Sequence, residues 1–104
     1  MDNIDAILSV EGIDAVFIGP YDLSASMGLT AQFDHPDFLA ARQTVLDACQ
    51  RHQVAAGIHV VHPNPNEVVE RAREGYRLLA YSLDITMLLE NCVRGITHIR
   101  QELD

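Results

Sequence analysis

Asp22 is the residue of this chain best placed to do chemistry. An apolar run, Ala15-Val16-Phe17-Ile18, ends abruptly at Gly19-Pro20, and the carboxylate follows two residues later. In α/β folds ligands gather at the C-terminal ends of the strands, so a strand that stops at a tight turn and presents an acid there is a common start to a site. A carboxylate in that place suits a hard divalent cation. The alternative for Asp22 is a turn residue of the Asx type after Gly-Pro. Ser24 and Ser26 come next, but no base stands at a spacing that would activate either as a nucleophile. Ser24 is expected to hydrogen-bond the loop near Asp22. His35, before Pro36, reads as a cap of the following helix, and Asp84 as a cap of the last one. His62, in a loop rich in Pro and Asn, reads as exposed.

The elements that must position these residues follow from periodicity. Ile4, Ile7 and Leu8 mark a short helix over residues 3–10, with Gly12 as its stop. Ala15 to Ile18 is a continuous apolar strand, the pattern of a strand buried on both faces. Residues 20–37 read as a long loop that carries Met27, Leu29 and Phe33 in exposed-looking positions. Pro36 opens a helix that runs to about His52, with Phe38, Ala41, Val45, Leu46 and Cys49 on one face. Residues 54–61 form a second strand. Asn64 or Asn66 caps a third helix, which turns Val68, Val69 and Ala72 inward and ends at Gly75. Residues 77–83 form a third strand, and residues 85–103 a last helix. The apolar stripe of that helix, from Leu88 to Leu103, is wider than a three-stranded sheet needs and implies a second contact surface.

Strands separated by helices predict a parallel sheet with right-handed crossovers. Two architectures fit: a segment of a (β/α)8 barrel, favoured by small or polar residues at each strand's C-terminal end, and an open doubly wound sheet. Three apolar parallel strands with free edges are an aggregation hazard unless something covers them. The 104 residues make at most one domain. Fifteen acids against seven bases leave a net charge of −8, which argues against nucleic acid or an anionic membrane as partner. No apolar run approaches the ~20 residues of a membrane span. The acidic N-terminus is not a secretory signal, so the cytoplasm is the expected compartment. Cys49 and Cys92 read as small core residues rather than a disulfide.

From Glu11 through Ile18-Gly19-Pro20-Tyr21-Asp22-Leu23-Ser24 to Gly28, the chain closely resembles the HpcH/HpaI aldolase family, and the likeness continues at His35-Pro36, Gly57-Ile58, Glu74-Gly75 and Leu83-Asp84. The resemblance implies a class II, metal-dependent aldolase that handles pyruvate with an aldehyde or keto-acid partner. It implies that residues 1–104 are the C-terminal part of a (β/α)8 TIM barrel, strands six to eight with their helices. The last helix would be exchanged between subunits of a homo-oligomer. Asp22 matches the family's metal-binding aspartate, for magnesium, manganese or cobalt. Gly19, Tyr21 and Asp22 would lend backbone N–H groups to the pyruvate carboxylate, with Tyr21 alternatively packing at the rim. His59 stands where relatives carry an aliphatic residue on the acceptor side of the pocket. It would bind a hydroxyl or carboxylate of the acceptor, or be hydrogen-bonded within the barrel. Tyr21, His59 and Ser82 depart from the family's alanine, aliphatic residue and glycine, and leave the acceptor open. The second metal carboxylate, an arginine and a proton-transfer histidine would all precede Met1. The chain alone is therefore expected to be inactive and to need the N-terminal barrel half. Two other readings remain: a non-catalytic oligomerisation module, and another keto-acid or acyl-CoA lyase of the superfamily.

Overall fold

The computed structural model describes all 104 residues. Five helices and three strands alternate: α1 (Ile4–Leu8), β1 (Ala15–Ile18), α2 (Pro20–Ser26), α3 (Pro36–His52), β2 (Ala55–Val60), α4 (Pro65–Glu74), β3 (Leu78–Tyr81) and α5 (Asp84–Leu103). The strands form one parallel sheet in the order β1-β2-β3. Phe17, Gly57 and Leu78 share one register row, and Ile18, Ile58 and Leu79 the next.

Strand order decides which face is covered. Two successive right-handed crossovers in the same direction put their helices on the same face of the sheet. α3 accordingly packs on β2, and α4 on β2 and β3. The core lies between these layers: Leu8, Ile18, Val45, Leu46, Cys49, Ile58 and Tyr76 are all buried there. A doubly wound sheet would reverse direction and cover both faces, and this one does not. The opposite face is bare. Phe17 and Leu78 lie on it, 47% and 46% exposed. Gly57 sits between them, where a Cβ would come within 2.8 Å of the Phe17 ring and 3.0 Å of Leu78 Cβ. Only glycine lets the two apolar side chains close over the central strand.

Capping follows the sequence closely. His35 Nδ1 accepts from Asp37 N at 3.1 Å, and Asn64 Oδ1 accepts from Asn66 N at 3.1 Å. Gly75 ends α4 with φ 118°. Asp84 is not the cap expected: Leu83 precedes α5 and offers no side-chain cap, while Asp84 is the first helical residue, its Oδ1 accepting from Ile85 N at 2.7 Å.

The structure corrects three further expectations. The expected long loop opens with a helix, α2, because Pro20 presets the first helical position after an extended Gly19. Its seven residues carry no apolar period, which is why periodicity misses it. Val69 points outward and is 46% exposed. Tyr76, just past Gly75, is buried in the core instead. Cys92 is exposed on α5, while Cys49 is buried, and both are free thiols.

No residue of α5 is buried. Ile85, Leu88, Leu89, Val93, Ile96, Ile99 and Leu103 all stand in solvent. The helix extends from the body, so the radius of gyration is 17.1 Å, against about 13 Å for a compact chain of this length. No helix is long and apolar enough to cross a membrane.

Candidate active site at the ends of the strands

Asp22 lies in the first turn of α2, exposed, at the head of β1. Its Oδ2 sits over Gly19, where an added Cβ would come within 2.7 Å of it. The glycine is therefore needed for this carboxylate position. The carboxylate accepts no hydrogen bond from the chain, so the Asx-turn alternative is not what it does. Asp22 and Gly19 border a groove with Met1, Ile4, Val16 and Leu23. β1 is an outer strand of the sheet, so Asp22 stands at the head of an unpaired edge.

Ser24 holds this corner together. It is wholly buried. Its Oγ donates to Tyr21 O at 3.1 Å and accepts from Ala31 N at 3.1 Å. It thus ties α2 to the following segment, which turns through left-handed Gly28 and Ala31. This is the loop-bracing role expected of it.

Tyr21 and His59 belong to a different hollow. They border a cavity of about 230 Å³ with Phe38, Arg42, His62 and Arg71. Tyr21 meets Phe33 edge-on at 4.9 Å between ring centroids, and Phe33 leans on Phe38 at 5.6 Å. Phe33, expected to be exposed, is half-buried by this stack. His59 Nε2 lies 2.8 Å from Ser82 O, and its ring is 6.3 Å from that of Phe17. The site residues expected from sequence thus fall into two pairs, Gly19 with Asp22 and Tyr21 with His59. His62 is exposed, its Nδ1 3.8 Å from Glu90 Oε1 on α5. His35 serves its helix and joins neither pair.

Sequence reasoning missed an arginine pair in the cavity wall. Glu74 Oε1 lies 3.1 Å from Arg71 Nη1 and 3.5 Å from Arg42 Nη2, which joins α4 to α3. Beneath it, burial pushes the Tyr76 hydroxyl pKa up from its ordinary value. Arginines spaced a helix apart carry no signal in a single sequence. Ser82, which the family resemblance set apart, has φ 57°, in the left-handed region.

No three His, Cys, Asp or Glu side chains of the chain converge on a point. Magnesium takes about six oxygen ligands, commonly one or two of them carboxylates. Asp22, free and exposed, fits as one such ligand and does not make a cation site by itself.

A parallel sheet covered on one face, with a free carboxylate at the C-terminal end of its outer strand, defines an α/β-layer protein with a candidate site at the strand ends. The chain belongs to the HpcH/HpaI aldolase/citrate lyase family, whose sequence profile matches residues 1–91. It is 41% identical over 87 residues to a hydroxypyruvate/pyruvate aldolase of Roseobacter denitrificans, covering 84% of this chain and 33% of that protein. It is 51% identical over 57 residues to a 2-keto-3-deoxy-L-rhamnonate aldolase of Salmonella schwarzengrund, covering 55% of this chain and 20% of that protein. The crystal structure of a HpcH/HpaI aldolase/citrate lyase family protein from Burkholderia cenocepacia superposes with a TM-score of 0.89 at 32% identity, over 95% of this chain and 38% of that one. The chain therefore spans a third or less of the length of these two relatives.

Proposed function

We propose that residues 1–104 are one segment, the C-terminal part of a (β/α)8 barrel, contributing strands six to eight to a class II pyruvate aldolase. The observation that carries this reading is Asp22: a free carboxylate at the head of an unpaired strand edge, beside a bare sheet face. A barrel closes by adding strands to that edge, and its interior is the face without helices. The second carboxylate of a shared cation site then comes from the strand that pairs with β1.

In this reading Asp22 supplies one ligand to magnesium, manganese or cobalt. The bound cation supplies Lewis acidity to the charge that develops on pyruvate as the C–C bond to the aldehyde or keto-acid partner breaks or forms. Gly19, Tyr21 and Asp22 offer backbone N–H groups to the keto-acid carboxylate. Leu23 N already donates to Gly19 O, so the helix ladder begins only beyond them. Pro20 has no N–H and shapes the turn. Tyr21 and His59 line the acceptor side. The protein works in the cytoplasm as a homo-oligomer joined through α5.

Metal-dependent exchange of the pyruvate methyl protons with solvent tests the reading. The chain alone gives none. Joined to five preceding β/α units it exchanges, and Asp22→Ala reduces the rate at least about a hundredfold, no less than the loss of a mere hydrogen-bond partner of a metal ligand costs. Exchange retained in Asp22→Ala would overturn the ligand assignment. The exposed apolar stripe of α5 favours a second reading, a non-catalytic association module. That module would oligomerise yet show no exchange in the completed barrel.

A further inference from the structure

Ser82 is the corner at which α5 leaves the body. Only Ser82 and Leu83 separate Tyr81, the last residue of β3, from Asp84, the first of α5. The turn is made by a left-handed Ser82, at φ 57°, and an extended Leu83. Both main-chain groups of Ser82 are held by the central strand. Its N–H donates to Val60 O at 2.7 Å. Its carbonyl oxygen lies 2.8 Å from His59 Nε2. A carbonyl oxygen only accepts, so the ring hydrogen is on Nε2. Neighbouring residues of β2 thus clamp the corner, one through its main chain and one through its side chain. The serine hydroxyl takes no part, since Oγ is buried without a hydrogen-bond partner.

Beyond that corner little holds α5. None of its residues is buried. Its one side-chain tie to the body is Glu90 Oε1, 3.8 Å from His62 Nδ1, and both groups stand in water, where such a pair contributes little. At about 1.5 Å per residue the 20-residue helix is a lever of about 30 Å, and a turn of about 10° at its base moves its tip by about 5 Å. The bond to Val60 leaves rotation about the Cα–C bond of Ser82 free. Holding the carbonyl removes that freedom, because the peptide plane it belongs to is rigid and leads straight into Leu83.

We propose that His59 is a positioning residue for α5: its Nε2–H, holding the Ser82 carbonyl, fixes the direction in which the helix and its apolar stripe leave the body. The proposal rests on the reading of α5 as the surface that joins copies of the chain, and adds which residue aims that surface at the second copy. The imidazolium donates from Nε2 as the neutral ring does, so the clamp holds on either side of the histidine titration.

The test measures the direction of α5 in the completed barrel by electron-spin distances. One nitroxide sits on Gln101→Cys near the tip of α5 and the other on Arg73→Cys on α4, with Cys92 replaced by Ser; all three positions are exposed. Labelled subunits are diluted with unlabelled ones, so that the distance lies within one copy. The distribution should be narrow, and unchanged as the histidines titrate. His59→Leu keeps the apolar contact beside Phe17 but has no donor, and should shift or widen the distribution by about 5 Å. His59→Gln should restore it, since its amide N–H reaches the same carbonyl. Glu90→Gln should leave it as it is. In parallel, His59→Leu should weaken association of the barrel by about fivefold, the worth of one hydrogen bond. A distance unchanged in His59→Leu, or one that widens in Glu90→Gln instead, would overturn the proposal. So would 15N-histidine shifts that place the His59 hydrogen on Nδ1, a measurement that needs no substitution. A monomeric unsubstituted barrel would overturn the reading of α5 as the joining surface, while the distances still decide whether His59 aims it.

Discussion

Ser24 and Asp22 show how closely a candidate metal-binding carboxylate depends on an inert neighbour. Ser24 Oγ serves both Tyr21 O and Ala31 N, with no access to water. Ser24→Ala removes two part-buried hydrogen bonds, to Tyr21 O and from Ala31 N, so the completed barrel should lose about 1 kcal/mol in chemical denaturation. Pyruvate exchange should fall as well, because the turn that aims Asp22 loosens. Ser24→Thr keeps the hydroxyl and should recover part of both. At this scale the sequence is readable where one residue type has one use. His35 before Pro36 and Gly75 after a helix both behave as their local chemistry dictates. Tyr76 is not readable in that way. It lies outside every periodic stretch, and its burial depends on where α3 and α4 meet.

Between elements, the short first helix is anchored by Leu8 in the core and tied at its surface by charge. Asp5 accepts two hydrogen bonds from Arg51 at 2.9 and 3.1 Å, and its Oδ1 lies 2.9 Å from His52 Nε2. The Arg51 hydrogen bond first, then that of His52, holds the Asp5 carboxyl below its ordinary range. A carboxyl whose folded pKa is depressed stabilises the fold above its unfolded pKa, and that contribution disappears as pH falls through the lower, folded value. The expected result is a loss of α1 docking on acidification below about pH 4. Asp5→Asn should remove the pH dependence, and salt should weaken it, since the group is in solvent. Amide hydrogen exchange of the α1 backbone measures both. The helix–strand alternation was fully legible from apolar runs and stops. α2 was not, because seven residues without an apolar period leave Pro20 as their only signal.

As a whole, the molecule leaves several apolar surfaces and edges uncovered. β1 and β3 each have an open edge, one sheet face is bare, and α5 extends from the body without burying a residue. The over-wide stripe on α5 was visible in the sequence; that the rest of the chain covers none of it was not, because a stripe does not say which molecule it will meet. Open parallel edges and exposed apolar faces drive association. The chain by itself should therefore elute as a concentration-dependent oligomer in size-exclusion chromatography. Replacing Leu88 and Ile96 by Lys should shift the completed barrel toward monomer while leaving its circular dichroism unchanged. A monomeric wild-type barrel would count against exchange of α5.

The free edge of β1 has a practical consequence. It places Asp22 on one side of a seam and, on the aldolase reading, the rest of the cation site on the other. A barrel divided along that seam is a two-component switch: neither half holds the cation alone, and turnover reports their reunion. Fusing each half to one member of an interacting pair would make pyruvate proton exchange a readout of whether the pair has met, with Asp22→Ala as the built-in off control.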